Sequence, residues 1–292
     1  MYFMGLDIGT SGTKCVLVDR EGQPVARASQ GYPLFTPKPG WAEQRPEDWY
    51  QAAVACVRKV LSTPGVSAAQ VEGVAFSGQM HGLVPLDGQG QVIRSAILWC
   101  DQRNQAECDA IEAAAGGREA LLGLTNNVML TGYTGGKLLW LARHEPRHSE
   151  AMALFLCPKD YLRWRLTGVP LMDVSEASGT GLFDTAQRRW CKPLIGLAGL
   201  PERIFPQVVE ATDEAGCITP EAAEATGLPA GTPCFAGGGD AVVQSFGSGL
   251  IRAGTVGTVM APRATCPWAL NSTWPTPAGS CRCSAASGRA AI

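Results

Sequence analysis

Four short stretches hold residue types that chemistry can use. Residues 5–14 read GLDIGTSGTK: an apolar run meets a carboxylate, Asp7, and breaks into Gly9, Thr10, Ser11, Gly12 and Thr13. A buried carboxylate is costly unless it is paired or bound to a metal. A turn of glycines and hydroxyl residues between two strands gathers backbone N–H groups on one point, which suits a phosphate; a bulge and a turn are the plainer reading. Asp240 follows Gly237-Gly238-Gly239. It reads as a helix N-cap, but three glycines also let a ligand approach the backbone, at the strand edge where α/β proteins bind ligands. SGQMHG (77–82) ends another apolar run, placing Met80 and His81 at the same kind of edge. LWCDQR (98–103) brings Trp99, Asp101 and Arg103 together, with Asp101 equally able to cap the helix that follows.

Other motifs carry less. TGYTGGKLL (131–139) has the wrong glycine spacing for a Walker A loop, and Leu138 stands where a magnesium-binding hydroxyl would be. His144 and His148 are four apart but straddle Pro146, which spoils them as a metal pair. The eleven cysteines form no C-x-x-C and no zinc spacing, so most read as buried free thiols of a reducing compartment.

These residues need elements to position them. Residues 3–9, 13–19 and 24–32 alternate as three strands of a meander, with a turn at Arg20-Glu21-Gly22-Gln23. RPEDWYQAAVACVRKVL has Pro46 and two acids at its start and basic residues near its end, the marks of an amphipathic helix. VEGVAFSG (71–78) reads as a central covered strand, 83–99 as a hairpin around Asp87-Gly88-Gln89-Gly90, and PCFAGGG (233–239) as a last strand before a helix opened by Asp240. Helical patterns lie near 103–114, 136–144 and 158–166, and a Gly/Ser-rich segment spans 175–184. A meander followed by interleaved helices and strands predicts an α/β layer structure with a mixed sheet rather than an all-parallel one. Lys14 is expected on a strand surface.

With 292 residues, a sizeable core is available. The formal net charge of −2 gives no case for nucleic acid or an anionic membrane. No run reaches 18 apolar residues, and the N-terminus lacks a basic-then-apolar leader, so the cytoplasm is the expected compartment.

Taken in order, DIGTSGTK, WAEQRPEDWY, SGQMHG, ILWCDQR, PKDYLRWRLTG and GGGDA resemble the FGGY carbohydrate kinases, and within them those acting on D-xylulose. The resemblance runs from residue 3 to about residue 258. It implies an actin-like ATPase (ribonuclease-H-like) α/β fold and ATP-dependent phosphorylation of a ketopentose on its terminal hydroxyl, with ATP and Mg²⁺. Carried across, Asp240 matches the general base and a sugar contact. Met80 and His81 match sugar-binding positions, and Trp99, Asp101 and Arg103 sit in a segment near the sugar cleft. Gly9, Thr10, Ser11, Gly12 and Thr13 match the phosphate-binding hairpin, and Asp7 the acid that works with Mg²⁺. A non-catalytic sugar-binding fragment and a kinase for L-ribulose or glycerol are the rival readings. The expected partners are the sugar and ATP, with a homodimer as the assembly considered.

The resemblance predicts a domain over 1–257. Residues 258–292 are expected to be the aborted start of a second domain and an irregular tail. Residues 262–292 contain no Asp, Glu or Lys but three cysteines, two tryptophans and four prolines, without helical or strand period. A shift of reading frame near residue 260 would account for that composition, and very low activity is the expectation for a chain without its second domain.

Overall fold

The predicted meander is present in the computed structural model, which describes residues 1–252, 254–261 and 264–269. Strands β1 (Tyr2–Ile8), β2 (Gly12–Val18) and β3 (Pro24–Gly31) pair antiparallel in sequence order. Alternation turns Met4, Leu6, Ile8, Thr13, Cys15 and Leu17 into the core, while Asp7 and Lys14 face each other across β1 and β2 on the opposite side. The β1–β2 turn runs close to β3: a Cβ on Gly12 would lie 2.7 Å from the Gln30 carbonyl oxygen, so only glycine fits.

β4 (Glu43–Gln44) leads into helix α1 (Pro46–Leu61). Pro46 occupies the first turn, where its missing N–H costs nothing; Glu47 and Asp48 face the positive end of the helix dipole, Arg58 and Lys59 the negative end. Trp49, Ala52, Ala53, Cys56, Val57 and Val60 recur at helical spacing and bury one face against β2 and β3. The central strand β5 (Val71–Gly78) follows. It is central in the sheet but not covered on both sides as predicted, since Glu72 and Ala75 remain exposed.

The stretch 83–99 departs from a simple hairpin. Its turn exists, closed by the Asp87 N–H donating to the Gln91 carbonyl at 3.0 Å. Its arms bridge each other at Leu83–Ile97 and Leu86–Val92, and β6 (Val84–Leu86) and β7 (Ala96–Ile97) pair in addition with β8 (Leu154–Leu156) and β4. Arms this short gain from burial between other segments as well as from their own bridges.

Helices α2 (Gln105–Ala114), α3 (Arg118–Thr125), α4 (Thr134–His144) and α5 (Pro146–Ala151) precede β8, and α6 (Pro158–Thr167) and β9 (Leu171–Asp173) follow it. The Gly/Ser-rich segment begins in a short helix, α7 (Val174–Ser178), capped by the Asp173 carboxylate, which accepts from the Ser175 N–H at 2.7 Å. A small ribbon, β10 (Phe183–Asp184) with β11 (Arg189–Trp190), leads to α8 (Lys192–Leu197), and β12 (Gln207–Val209) pairs parallel with β9. β13 (Glu214–Cys217), α9 (Pro220–Thr226), β14 (Pro233–Phe235) and β15 (Gly238–Gly239) complete the first of two units, which ends at Asp240.

The main sheet of this unit has the order β13-β14-β5-β1-β2-β3, with β15 also on β5. It is mixed, since β5 runs parallel to β1, β14 and β15 while the meander and β13–β14 are antiparallel. Helices α1, α6 and α9 pack beside one another, with Leu162, Leu166, Ile218 and Ala222 joining the sheet's buried face in one core. A second core gathers around Leu138, Phe155, Leu182, Phe183 and Leu194.

The second unit begins at Ala241 and holds most of α10 (Asp240–Gly247) and an antiparallel pair, β16 (Val256–Ala261) and β17 (Ala264–Ala269). Residues 264–269 form a strand although their sequence shows no strand period; the rest of the expected tail lies outside the described residues.

The predicted last strand is broken into β14 and β15 at Gly237, whose φ is +70°. A Cβ there would sit 1.9 Å from the Phe76 carbonyl oxygen, a backbone atom that cannot swing away. Gly237→Ala is therefore expected to destabilise the fold by roughly 2–3 kcal/mol, read as a lowered urea midpoint at unchanged slope.

Candidate functional site

Parallel register brings the chemistry to one edge. Ile8 pairs with Gly78 on β5, and Gly239 pairs with the same Gly78 from the other side. The residues that leave these three strands are therefore level: the Gly9–Gly12 turn, Gln79-Met80-His81, and Asp240. Gly78 permits this closeness, since a Cβ on it would meet the Ile8 carbonyl oxygen at 3.1 Å and the Lys159 Cβ at 3.2 Å.

The turn is closed by the Gly9 N–H donating to the Gly12 carbonyl at 3.1 Å. Among the described residues, the N–H groups of Thr10 and Ser11 have no acceptor, so they are available to an anion. Two glutamines hold the turn from below. The Gln44 amide donates to the Thr10 carbonyl at 2.7 Å and accepts from the Trp49 indole N–H and the Gln79 amide, each at 3.0 Å. Gln79 in turn accepts from the Thr10 hydroxyl at 3.3 Å, and its backbone N–H donates to Ile8 at 2.8 Å. The Tyr32 hydroxyl donates to the Gly9 carbonyl. Gln44, Gln79, Trp49 and Tyr32 were not picked out from the sequence, although both glutamines lie in the quoted motifs.

Thr13 is placed differently from its neighbours in the turn. Its side chain is buried in the core beneath the sheet, so only its backbone belongs to the hairpin. Asp7 is half-buried on the sheet's other face, with the exposed Lys14 ammonium 3.4 Å from its carboxylate. Lys14 thus lies on the strand surface, as expected, and reaches the acid beside it.

At the second strand end, Met80 is buried and packs over Gly239, where a Cβ would fall 2.5 Å from Met80 Cγ. That contact sets Met80 beside the residue preceding Asp240. His81 has a φ of +68°, a left-handed conformation that costs a non-glycine residue roughly 1–2 kcal/mol. Its Nδ1 lies 2.8 Å from the Gly179 carbonyl, and its ring stacks obliquely on Tyr133 with centroids 4.8 Å apart. Burial, and then the Lys137 ammonium nearby, pull its pKa down to about 3. The ring is therefore neutral. A carbonyl can only accept, so Nδ1 carries the proton and Nε2 is left as a hydrogen-bond acceptor.

Beneath Asp240 lies a buried ionic cluster. Lys159, wholly buried, is 2.6 Å from Asp160 and 2.9 Å from Asp173, and donates to the Ala236 carbonyl at 3.1 Å. Asp173 accepts from the Ser175 hydroxyl at 2.5 Å, and that hydroxyl accepts the Gly239 N–H at 2.9 Å. The chain from ammonium to carboxylate to hydroxyl thus holds β15, the strand that Asp240 follows. Glu176 accepts from the His81 N–H at 3.4 Å, and burial raises its pKa well above the ordinary carboxylate value. The acids of PKDYLRWRLTG and DVSEAS gave no signal of burial, because charged residues read as surface in any sequence.

Trp99 is brought to the turn: its indole N–H donates to the Thr10 hydroxyl at 2.9 Å while the ring stays 47% exposed. Asp101 and Arg103 do something else. Asp101, fully buried, accepts from the Ala42 N–H at 2.6 Å and takes Arg103 in a two-pronged pair at 2.9 and 2.7 Å. The guanidinium also lies 2.8 Å from Glu43 and 3.5 Å above the Trp41 ring. These two side chains hold the 98–103 segment against β4 rather than opening onto the strand edge.

Among the described residues no cluster of three or more His, Cys, Asp or Glu has the geometry of a metal site. His144 and His148 each contact a glutamate, at 3.3 and 2.7 Å. The eight described cysteines are free thiols. No described helix is long and apolar enough to cross a membrane.

Comparison with known proteins agrees with this architecture. The profile of the FGGY family of carbohydrate kinases, N-terminal domain, matches residues 2–247. The chain belongs to that family, with its mixed α/β, actin-like fold. It is 40% identical over 253 residues to a xylulose kinase of Bacillus subtilis, covering 87% of this chain and 50% of that protein. Among solved structures, a xylulose kinase from Rhodospirillum rubrum superposes with a TM-score of 0.84 at 33% identity, over 88% of this chain and 53% of the other. A Brucella ovis kinase titled "xyloylose kinase" gives 0.83 at 35%, over 88% and 52%. The chain thus spans about half the length of the relatives it matches.

Two outcomes follow from the geometry. Gln44→Leu strands the Trp49 indole, the Gln79 amide and the Thr10 carbonyl at once, and should cost about 2–3 kcal/mol in chemical denaturation, against a small effect for Gln51→Leu on exposed helix surface. His81 is neutral when folded and titrates near 6.5 when unfolded, so its contribution is present above pH 6.5 and lost as pH falls toward 3. The wild-type chain should lose stability across that window more steeply than His81→Gln; equal slopes would contradict the neutral ring.

Proposed function

We propose that this chain carries the sugar-binding and phosphate-binding half of an ATP-dependent kinase that phosphorylates D-xylulose to D-xylulose 5-phosphate. The observation that carries the reading is the level alignment of Asp240, Met80-His81 and the glycine-hydroxyl turn at the ends of β15, β5 and β1. It is supported by likeness to proteins named xylulose kinase.

In this reading Asp240 is the general base. It accepts the proton of the sugar's terminal hydroxyl as that oxygen bonds to the γ-phosphorus and the bond to the β-phosphate oxygen breaks, releasing ADP. His81 receives a sugar hydroxyl on its unprotonated Nε2, and Met80 packs against the carbon face of the sugar. The free N–H groups of Thr10 and Ser11 bind phosphate oxygens, with Gly9, Gly12 and the backbone of Thr13 shaping the turn. Trp99 joins the sugar segment to that turn through Thr10. Asp101 and Arg103 serve the sugar side by holding the segment that bears Trp99.

Mg²⁺ enters this reading with the nucleotide, where it would neutralise phosphate charge. Such ions are held by one or two carboxylates together with substrate phosphates and water, so the half-exposed Asp7 beside the turn fits without a ready-made protein cage. The adenosine pocket is assigned to a second domain. The partners are small molecules, in keeping with a net charge of −2, and a reducing cytoplasm suits the free thiols. A homodimer is retained as the assembly to test.

The test is D-xylulose-dependent ADP release by the 292-residue chain with ATP and Mg²⁺, paired with calorimetric titration of D-xylulose. Sugar binding with turnover far below that of a full-length xylulose kinase is expected. Asp240→Asn should abolish whatever turnover exists, about 10²–10⁴-fold, while leaving sugar affinity nearly unchanged. Binding of glycerol in preference to D-xylulose, or full activity in Asp240→Asn, would overturn the assignment.

A further inference from the structure

The stretch TGYTGGKLL, rejected above as a phosphate loop, converges on a different target. Lys137 is wholly buried on α4, yet no carboxylate lies within ion-pair distance of its ammonium among the described residues. It donates instead to two carbonyls, that of His81 at 2.8 Å and that of Gly132. The Thr134 hydroxyl donates to the same His81 carbonyl at 3.1 Å. From the opposite side Glu176 takes the His81 N–H, and Gly179 takes its ring. Gly179 must be glycine for this fit, because a Cβ would lie 2.5 Å from His81 Nδ1.

A lone cation buried against carbonyl oxygens is costly to keep, and burial pulls the Lys137 pKa down to about 7. Packing alone would be served better by Leu or Met. The arrangement therefore has a cost in stability and a definite product: His81 held in the left-handed conformation at φ +68°. A histidine released from that conformation would relax toward the ordinary regions of backbone space and swing its ring away from Gly179.

We infer that Lys137 and Thr134 form a clamp on the His81 carbonyl, which makes them positioning residues for the sugar-recognising imidazole. The role in sugar recognition rests on the proposed function; the clamp itself does not. Neither residue touches substrate in this account. Both act through the backbone of His81, fixing where Nε2 points.

The chain has three histidines, so ring-¹³C-labelled histidine gives a spectrum in which His81 is separable from the exposed His144 and His148. In the wild-type chain the His81 signal should not titrate between about pH 5 and 8. Thr134→Val, which removes one donor at constant shape, and Lys137→Met should move the signal and raise its midpoint toward the ordinary value, with the other two histidines unchanged. Thr134→Ser should restore the wild-type signal. Calorimetry on the same chains should show D-xylulose affinity falling about tenfold in Thr134→Val, the equivalent of one lost hydrogen bond, and further in Lys137→Met. A wild-type His81 that titrates normally, or a signal unmoved in folded Thr134→Val, would overturn the clamp. A moved signal with unchanged affinity would overturn its role in recognition. A wild-type chain that binds no D-xylulose while the spectra respond as described would refute the sugar reading and leave the clamp standing. Should Lys137→Met fail to fold, Thr134→Val decides.

Discussion

The structure turns on the register at Gly78. Ile8 pairs with it on one side and Gly239 on the other, and a Cβ there would crowd the Ile8 carbonyl and the Lys159 side chain. A slip of one residue would send Asp7 and Lys14 into the core and lift the hydroxyl turn away from Asp240. The rest of the unit reads as support for that alignment. Helix α1 covers the meander from one face, the Gln44–Gln79 amide pair ties the turn to β5, and the Lys159–Asp173–Ser175 chain ties β15 to α7.

The polar interior holds the strand ends through directed hydrogen bonds. Phosphoryl transfer asks mainly for positioning and charge neutralisation. Glutamine amides, a buried ammonium and a buried glutamate are poor choices for stability but good ones for direction, because each fixes the angle of what it holds. His81 is the clearest case. Every polar group of its backbone is engaged, its ring is neutral, and one nitrogen is left to accept. Met80 supplies the apolar counterpart, seated on Gly239 next to Asp240.

The sequence made the strand-ending motifs visible for a physical reason. Gly9–Thr13, Gly237–Asp240 and Ser77–Gly82 interrupt apolar runs with residues that a strand does not need, and interruption is what periodicity detects. The meander and α1 were legible from alternation, from Pro46 and from the placement of charge at the helix ends. Gln44 and Gln79 were not: a glutamine carries no periodic signal, and their partnership spans 35 positions. Lys137, Lys159 and Glu176 were hidden by their own chemistry, since a charge in a sequence implies water. Asp101 and Arg103 show the converse. Their types suggested a ligand, but in space they chiefly satisfy each other and Trp41. The hairpin at 83–99 was legible from its turn, whereas the further pairing of its arms with β4 and β8 is not local and left no signal.

The central claim is that the ends of β1, β5 and β15 are one site. Hydrogen–deuterium exchange of the 292-residue chain, with and without D-xylulose plus a non-hydrolysable ATP analogue and Mg²⁺, tests it most directly. The account predicts slowed exchange at the backbone of residues 9–13, 79–82 and 238–241 together, with peptides from α3 and α8 unchanged. Protection confined to one of the three segments, or centred on the separate cleft between Arg45, Arg94 and Trp164, would contradict it.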